Sequence, residues 1–589
     1  MHRHDVIIAG GGIAGGFLAR QLRRQKPELD ILVLESKPVI DDFKVGESTV
    51  EVAAHYMIKR LELGTYLYQH QLPKNGLRFF FDSPQKDLPI ERMSEIGSDH
   101  LPFHPSFQLE RAKLERDLAQ MNSQEGIDVH LGAKVVDVKI DGQNGHTVTW
   151  EEGGEKHAAQ GRWFVDASGR RQLLARKLGM ATQKETRLET AASWGRYRNV
   201  AGLDAVKDPA FRSRVRYTSR HLSTNHFMYD GYWIWFIPLA GDIMSVGVVY
   251  DKSRIGPGPR NREAFEAFLN EHRSSRDLMR GAIFEDFQSY AHLPYHTEKF
   301  FSKDRWALTG EAGAFTDPFY SPGSDFIATA NEFIGALMLA DFGGEQKDFE
   351  ERVDLYDAYY RFKYESTLLL YSRMYPIFGS YEIFRLKYLL DFNNYYNLVY
   401  WPFVANKLTN VDWIRGELDF TKLVLRALES MGGWGAGNNF QIDFTIPVFY
   451  ADGSTPRMTV NGVSGYCYNG PDCDPVPLQM PIPNGANIES SNDLFCDTAN
   501  NDCHILVVET AEKKLYELYN STQEGNQIVA LGVFVWDLQK AYPDNLRGDQ
   551  CTSADAAGFP IAGLLPTADE VKAGDVHHAL RFILQIGRA

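Results

Sequence analysis

The first stretch whose spacing could do chemistry is a glycine-rich turn near the start of the chain. Asp5 begins an apolar segment that predicts a buried β-strand. Glycines follow at Gly10, Gly12 and Gly15, and the residues after them have the pattern of an amphipathic helix. Gly10 permits a tight turn, Gly12 lets the backbone approach a pyrophosphate, and Gly15 lets helix and strand pack closely. The free N–H groups at the start of this helix would face the phosphates.

A second apolar run, residues 31–34, ends on Glu35. An acid about twenty residues after such a turn accepts hydrogen bonds from a ribose hydroxyl in dinucleotide-binding units. Strand, glycine turn, helix, strand and acid together predict a Rossmann-like nucleotide site. An ordinary strand–helix turn would need no acid at Glu35.

Three further segments place glycines, hydroxyls and acids where a flavin would need them. Segment 43–49 combines glycine with small hydroxyls, which lets backbone lie against a planar ring, although its hydroxyls could equally cap a helix. Two later strands each end in an acid and a glycine turn. Three such pieces favour FAD over NAD, and a single nucleotide fingerprint leaves no dedicated NAD(P)H domain. The residues expected to contact the cofactor are Gly46, Glu47, Ser48, Arg111, Asp166, Gly310, Glu311 and Asp317.

Composition limits the class of protein. The 589 residues exceed one hydrophobic core, so about two to four domains are expected. The net charge of −15 argues against a nucleic-acid or anionic-membrane partner. No apolar run of about eighteen residues is present, so no transmembrane segment is expected. A strand begins within the first few residues, which leaves no room for a signal peptide and predicts a cytoplasmic protein.

All the cysteines lie after residue 460, at Cys467, Cys473, Cys496, Cys503 and Cys551. The close spacing within the first two pairs suits small disulfide loops of an exported domain. These spacings are wider than those of zinc knuckles, so no metal is predicted. The cysteine-free front suits a cytosolic enzyme, and the two halves therefore indicate different compartments. If all five cysteines were free thiols, an intracellular location would be compatible with both halves of the chain.

The order of patterns predicts an α/β fold with an FAD-binding Rossmann-like domain over residues 1–345. Within it, residues 190–295 read as strands and predict an inserted antiparallel sheet on the substrate side. Residues 346–430 are helical and rich in aromatic residues, which indicates packing on the catalytic domain, a wall of the substrate pocket or a surface for a partner. A glycine-rich linker at 431–439 leads to a separate β-rich domain at 440–589.

Residues 233–238 read Trp-Ile-Trp-Phe-Ile-Pro. As a strand, this segment places Trp233, Trp235 and Ile237 on one face, as an ordinary core strand also would. With the cofactor segments beside it, the chain resembles the flavin-dependent halogenases, which carry a Trp-x-Trp-x-Ile-Pro signature. That family lies within the FAD monooxygenases of the p-hydroxybenzoate hydroxylase type. The resemblance covers about residues 1–420 and implies that the two indoles keep substrate away from the flavin.

Lys74 lies in a segment that matches a second signature of this family. Phenol-type members carry Lys-x-Gly-x-x-Phe, here Lys74, Gly76 and Phe79, although His70 and Gln71 replace the usual Gly-Phe before it. The resemblance implies that reduced FAD and oxygen convert chloride or bromide to hypohalous acid, which travels to Lys74. The lysine donates a hydrogen bond, or becomes a haloamine, and delivers halogen to an electron-rich carbon. The haloamine needs an amine pKa lowered by burial, whereas the hydrogen bond needs the charged form. A plain surface lysine is the alternative.

Segment 317–325 resembles the flavin- and halide-contacting loop of the family. By this resemblance Pro322, Gly323 and Asp325 contact the cofactor, while Gly323 and Ser324 hold the halide. Pro322 has no N–H to offer an anion, and Asp325 could equally be a salt-bridged structural residue. Tyr320 stands where tryptophan halogenases have a glutamate, which places the chain nearer to the phenol, pyrrole and aliphatic halogenases.

The leading interpretation is a two-component FAD-dependent halogenase that receives reduced FAD from a separate flavin reductase. Its substrate would be a small electron-rich molecule, free or tethered to a carrier protein. A flavin monooxygenase that hydroxylates or epoxidises is the alternative. A third interpretation is a non-catalytic flavoprotein whose rear domain does the binding.

Overall fold

The computed structural model describes residues 2–40, 43–180, 183–430, 446–463, 472–542, 553–554 and 560–562, with backbone alone at 183–184 and 423–430. Two compact units divide the chain, Met1–Phe420 and Thr421–Ala589. The linker predicted at 431–439 lies outside the described residues.

The first unit mixes strands and helices in α/β order. Its strands are β1 (His2–Ala9), β2 (Ile31–Glu35), β3 (Leu72–Pro73), β4 (Leu77–Phe81), β5 (Ser94–Ile96), β6 (Phe107–Gln108), β7 (Asp128–Leu131), β8 (Lys134–Lys139), β9 (His146–Glu152), β10 (Glu155–Asp166), β11 (Gln183–Lys184), β12 (Thr190–Arg198), β13 (Thr224–Tyr229), β14 (Tyr232–Leu239), β15 (Ile243–Asp251), β16 (Ile283–Tyr290), β17 (Tyr295–His296), β18 (Trp306–Leu308) and β19 (Ala314–Phe315). The α-helices are α1 (Ile13–Gln25), α2 (Glu51–His55), α3 (Gly64–His70), α4 (Arg111–Gln124), α5 (Leu173–Lys177), α6 (Pro209–Ser213), α7 (Lys252–Ile255), α8 (Arg262–Asn270), α9 (Arg273–Leu278), α10 (Gly323–Gly343), α11 (Gln346–Tyr371), α12 (Tyr381–Asn394), α13 (Trp401–Val404) and α14 (Val411–Ser430), the last of which runs past the unit boundary.

A mixed sheet in the order β7-β2-β1-β10-β9-β8 carries the predicted nucleotide turn, and β18 also pairs with β10. Strand β1 pairs in parallel with β2 and β10, so that Val6 lies beside Ile31 and Trp163. Central parallel strands are apolar on both faces, and β2 is buried throughout. The turn from β1 to α1 opens at the carboxyl edge of this sheet, where nucleotides bind in such folds. The predicted α/β, Rossmann-like fold is confirmed.

The antiparallel sheet predicted over residues 190–295 gains two strands from outside that range. Its order is β16-β12-β15-β14-β13-β4-β5, and β4 joins it parallel to β13. Along β14, Trp233, Trp235 and Ile237 face the core that contains the nucleotide strands. Ile234 and Phe236 face a second core on the other side. The alternation read from the sequence is therefore present, and β4 brings the segment after Lys74 to the same sheet.

The helical segment shares a core with the nucleotide sheet. Tyr356 of α11 and Phe384 of α12 belong to the same buried cluster as Val6 of β1. Helix α10 is long and apolar enough to cross a membrane, with a mean hydropathy of 1.2, but 67% of that stretch is buried inside the fold. It has the burial of a core helix, and the core continues without a break across residue 345.

The second unit is built on one mixed sheet. Its strands are β20 (Val448–Ala451), β21 (Arg457–Gly462), β22 (Leu478–Pro481), β23 (Ile505–Glu509), β24 (Lys514–Glu524) and β25 (Gln527–Asp537), in the order β20-β23-β24-β25-β21-β22. A disulfide joins Cys496 to Cys503, and Cys473 is also disulfide-bonded. The loop closed by Cys496 and Cys503 is one of the two that the cysteine spacing suggested, and Cys467 lies outside the described residues.

Candidate functional site

The glycine turn at the end of β1 has the close contacts that nucleotide binding requires. Gly10 has a φ of +113°, and a Cβ there would overlap the carbonyl oxygen of Ala167. A Cβ at Gly15 would overlap the carbonyl oxygen of Gly10. Gly12 is the residue from which α1 starts, with no side chain over the first N–H groups. Only glycine fits at Gly10 and Gly15, so the turn presents bare backbone at the sheet edge.

Glu35 lies against this turn. Its Oε2 accepts a hydrogen bond of 2.8 Å from the N–H of Gly11, and its Oε1 accepts one of 2.9 Å from the N–H of Lys37. A carboxylate oxygen has further lone pairs. Glu35 therefore fixes the turn while retaining capacity for a ribose hydroxyl.

Two cations stand beside the turn. Arg111 donates to the carbonyl oxygen of Val45 at 2.9 Å, and both Arg111 and Lys44 pair with the buried carboxylate of Glu115. Burial alone would raise the pKa of Glu115, but the two cations hold it below its usual value. A Cβ at Gly12 would lie 3.6 Å from Glu115. This charge arrangement fits the pyrophosphate of a dinucleotide.

The loop after β2 contains a buried carboxylate that is only half satisfied. Glu47 is 1% exposed, and its Oε1 accepts a hydrogen bond of 2.7 Å from Arg196. Its Oε2, and the Nε of Arg196, are buried without a hydrogen-bond partner among the described residues. Gly46 precedes it with a φ of +93°. Unpaired buried polar atoms are costly, so this loop fits a polar, planar cofactor such as the flavin of FAD.

Asp166, Gly310 and Glu311 order the neighbouring loops. Both oxygens of Asp166 accept backbone hydrogen bonds, from Ser168 at 2.9 Å and Leu174 at 2.7 Å. The structure thus places Asp166 as a support for its own loop. A Cβ at Gly310 would lie 3.0 Å from the Cβ of Ala14, which brings this turn against α1. Glu311 pairs with Arg170 at 2.8 Å.

Lys74 is buried rather than a surface lysine. It is 2% exposed, and its Nζ donates to the Oγ of Ser48 at 2.9 Å and to the carbonyl oxygen of Thr49 at 2.6 Å. Burial lowers its pKa to about 8, against the opposing effect of Glu51 and Asp325. The ammonium group of the lysine therefore contacts the loop after β2, residues 43–49, which we call the cofactor-side loop.

The two indoles form a wall on the same face of the antiparallel sheet. The rings of Trp233 and Trp235 are 5.6 Å apart, and Phe319 packs 5.3 Å from Trp233. The Nε1 of Trp233 donates to the hydroxyl of Tyr375 at 3.3 Å, which donates to Asp317 at 2.7 Å. Burial raises the pKa of Asp317 to about 6. Asp317 thus anchors the indole wall through Tyr375, a link that the sequence did not indicate.

His226 also belongs to this wall. Its ring stacks 4.8 Å from Phe79 and lies 5.2 Å from Trp233. Its Nδ1 is 3.1 Å from the carbonyl oxygen of Arg78, so Nδ1 carries the proton of a neutral ring. Burial lowers the pKa of His226 to about 3, and the charge of Lys74 adds to this effect. His226 belongs to none of the sequence motifs, so nothing in the sequence pointed to it.

The loop before α10 is strained. Tyr320 and Ser321 have φ values of 62° and 60°, a conformation that non-glycine residues adopt at a cost of about 1–3 kcal/mol each. Helix α10 then begins at Gly323, with Pro322 as its N-cap. Its first N–H groups, including those of Gly323 and Ser324, have no partners within the helix. This turn therefore has the donors that the predicted halide site requires.

Asp325 fastens the start of α10 to its surroundings. It is 3% exposed and accepts hydrogen bonds from the N–H of Ala53 at 2.9 Å and the hydroxyl of Tyr395 at 3.1 Å. Burial raises its pKa to about 7, although the charge of Lys363 opposes this. These hydrogen bonds hold Asp325 within the fold, and its charge lies near enough to Lys74 to act on it, while its contact with the cofactor stays a prediction.

Known halogenases resemble this chain over part of its length. The family model for tryptophan halogenases matches residues 5–87 and 84–375, more than half of the chain. The flavin-dependent halogenase chlA of Dictyostelium discoideum is 32% identical over 390 residues, which are 61% of this chain and 64% of that protein. The 1H-pyrrole-2-carbonyl-[peptidyl-carrier protein] brominase of Pseudoalteromonas luteoviolacea is 26% identical over 394 residues, covering 64% of this chain and 88% of that one. The match thus spans a little under two thirds of chlA.

The fold agrees with solved halogenases. The crystal structure of halogenase PltM in complex with phloroglucinol and FAD superposes with a TM-score of 0.55 at 19% identity, covering 65% of this chain and 79% of that one. At this identity the likeness concerns the fold alone. Because the family model covers both the nucleotide turn and the Trp233–Trp235 strand, the chain belongs to the tryptophan halogenase family.

Proposed function

We propose that this protein is an FAD-dependent halogenase that accepts reduced FAD from a separate flavin reductase and uses chloride or bromide. The observation that carries the proposal is the buried ammonium of Lys74, which is bonded to the cofactor-side loop. The family match and the halogenase names of the relatives support it.

The glycine turn and its neighbours would hold FAD. The backbone at Gly10 and Gly12, with Arg111 nearby, suits the pyrophosphate, and Glu35 suits the ribose. The unsatisfied Oε2 of Glu47 suits the ring system. Bound in its reduced form, FAD supplies the electrons with which oxygen is activated to oxidise halide.

The indoles of Trp233 and Trp235 would keep the organic substrate away from that oxidation. Both are at most 4% exposed and are held from both sides, since Trp233 donates to Tyr375 and Trp235 donates to Ser245 at 3.2 Å. A fixed wall lets a small oxidant pass while excluding a bulky ring. Halogenation rather than direct oxygen transfer follows from this separation.

Lys74 would position hypohalous acid for attack by the substrate. An ammonium has three N–H donors, and two are used by Ser48 and Thr49, so one remains for the oxidant. As the carbon–halogen bond forms, the oxygen–halogen bond breaks and hydroxide leaves. This hydroxide takes the proton lost from the ring carbon, giving water, and the lysine N–H stabilises the developing charge. Two existing acceptors favour this charged form over a haloamine.

The halide would bind at the start of α10. The N–H groups of Gly323 and Ser324 lie at the positive end of a 21-residue helix, after the strained residues Tyr320 and Ser321. Pro322 contributes no donor.

The substrate class we propose is an electron-rich aromatic compound, phenolic or pyrrolic, free or held on a carrier protein. Aromatic side chains line the wall beside Lys74, notably Phe79, His226 and Phe319. Tyr320 has no carboxylate, so this site differs from that of tryptophan halogenases, which have a glutamate at this position. A neutral wall favours uncharged rings.

Turnover with chemically reduced FAD, air and sodium bromide tests the proposal. Phloroglucinol and a pyrrole-2-carboxyl thioester serve as probes, and mass spectrometry identifies the product by the bromine isotope pattern. A product that gains oxygen without bromine would instead assign the chain to the flavin monooxygenases.

A further inference from the structure

Two histidines and an aspartate meet at the amino-terminal edge of the nucleotide sheet. His2 and His4 alternate on β1 and so share a face. Asp30 immediately precedes β2, which pairs in parallel with β1. Its backbone is fixed there, since its carbonyl oxygen accepts hydrogen bonds from Asp5 at 3.0 Å and Val6 at 3.1 Å. The fold itself therefore brings the three side chains together.

The distances suit a shared ion. The Nδ1 of His4 is 3.0 Å from one oxygen of Asp30, and the Nε2 of His2 is 3.7 Å from the other. All three ligand atoms lie within 4.8 Å of one another. Ligands that bind a tetrahedral ion at about 2.0–2.2 Å lie roughly 3.4 Å apart. The side chain of His2 is 73% exposed, which leaves it room to move closer to the other two ligands.

A simple ion pair explains only part of this arrangement. One imidazole would be enough to pair with Asp30, and His4 already does so while 5% exposed. The second imidazole approaches the other oxygen of the same carboxylate, with the two rings 4.5 Å apart. Two imidazoles converging on one carboxylate form a ligand set.

We propose that His2, His4 and Asp30 form a binding site for a divalent transition-metal ion such as Zn²⁺, Ni²⁺ or Cu²⁺. Imidazole nitrogen suits these ions, whereas Mg²⁺ and Ca²⁺ prefer oxygen ligands. Three protein ligands leave at least one position for water, and the exposed side of His2 and Asp30 provides access. The cysteine spacing had given no reason to expect a metal, and this site uses histidines instead.

The site lies at the opposite end of β1 from the nucleotide turn. Strand β1 has eight residues between this edge and Gly10, which at about 3.3 Å per residue separates the two ends by roughly 26 Å. A metal here would clamp the first residues of β1 to the chain entering β2. It would thereby stabilise the strand that carries the nucleotide turn.

Isothermal titration of Zn²⁺ into the full-length, tag-free, chelator-treated protein near neutral pH tests this. We expect one equivalent to bind, with a rise in Tm. The variants His2→Ala and Asp30→Asn should each bind at least about tenfold more weakly. His100→Ala is the matched control, because His100 is an exposed histidine beside a single carboxylate, Asp99, and it should bind as the unaltered protein does.

His2→Ala leaves the fold intact, because its side chain is largely in solvent, so a lost signal is not a lost fold. Failure to saturate, or equal affinity in His2→Ala, Asp30→Asn and the unaltered protein, overturns the proposal. These measurements do not depend on turnover, so they are independent of the halogenase assignment.

Discussion

The ammonium of Lys74 and the hydroxyl of Ser48 are joined by a hydrogen bond of 2.9 Å. Ser48 belongs to the loop that follows the nucleotide-binding strands, whereas Lys74 lies just before β4 of the antiparallel sheet. Ser48 also lies 2.7 Å from the hydroxyl of Thr224 on β13. One serine therefore connects the cofactor side, the lysine and the wall that contains His226.

Replacement of Lys74 by methionine should remove halogenation while leaving the oxidation of reduced FAD. Methionine fills the buried space but supplies no N–H, and loss of a positioned proton donor costs about 10²–10⁴-fold. Brominated product and peroxide release are measured in the same reaction. Lys86→Met is the control, since Lys86 pairs with Glu271 at 3.0 Å and packs near Tyr232 outside this site. Equal halogenation by Lys74→Met and the unaltered protein would falsify the assigned role.

Halogenation should decline as the pH rises through about 8. Burial lowers the pKa of Lys74 to about 8, so the ammonium that donates to the oxidant is lost above this value. The pKa of His226 is held near 3, so His226 contributes no step near neutral pH. Initial rates at saturating probe between pH 6 and 10 give the profile. A rate that climbs through pH 8 would favour the haloamine route.

Asp325→Asn should move this alkaline decline to lower pH. The Asp325 carboxylate raises the pKa of Lys74, and asparagine removes its charge while keeping an oxygen for the N–H of Ala53. The same pH profile measures the shift. Glu332→Gln is the control. It removes a buried carboxylate from the same helix, but that carboxylate pairs with Arg60 at 2.9 Å. Identical profiles for both variants would show that Asp325 does not act on the lysine.

Tyr375→Phe should destabilise the first unit by about 1–3 kcal/mol at pH 8, and by less at pH 5. The change removes the hydrogen bond to Oδ2 of Asp317 and the acceptor of the Trp233 N–H, while Oδ1 of Asp317 still accepts from the N–H of Phe319 at 3.0 Å. Because burial raises the pKa of Asp317 to about 6, the carboxylate is ionised at pH 8 and largely neutral at pH 5. Urea unfolding at both pH values measures the difference. In the control Tyr371→Phe, the lost bond goes to the carbonyl oxygen of Phe319, so its penalty should not change with pH.

Gly247→Ala should displace the Trp235 indole and weaken the wall. Gly247 lies opposite Trp235 on β15, and a Cβ there would overlap the indole ring. Overpacking of this kind costs about 1–3 kcal/mol. Tryptophan fluorescence reports the displacement, and a larger share of oxygenated or uncoupled product reports the leak. Gly202→Ala, where a Cβ meets open space, should behave as the unaltered protein.

The parts of the site closest to backbone geometry were predictable from sequence. Gly10 and Gly15 are dictated by sterics, and the period of two along β14 placed Trp233 and Trp235 on one face before any contact was known. The family resemblance predicts a role for Lys74, and its burial is consistent with that role.

What sequence could not provide were partners from distant elements. Tyr375 and Tyr395 belong to a stretch rich in aromatic residues, where residue type gives no sign of which hydroxyls reach Asp317 and Asp325. Residue type likewise did not show that both carboxylate oxygens of Asp166 accept hydrogen bonds from the backbone of its own loop. Long-range pairing, such as β4 with β13, has no local signature.

The common core of the nucleotide sheet and the aromatic helices limits where this chain can be divided. Phe384 and Tyr356 belong to the same buried cluster as Val6. A protein truncated after residue 345 would therefore expose apolar residues of the sheet to water. Recombining such enzymes to change their substrates should therefore keep helices and sheet from one parent, and exchange residues only within the aromatic wall.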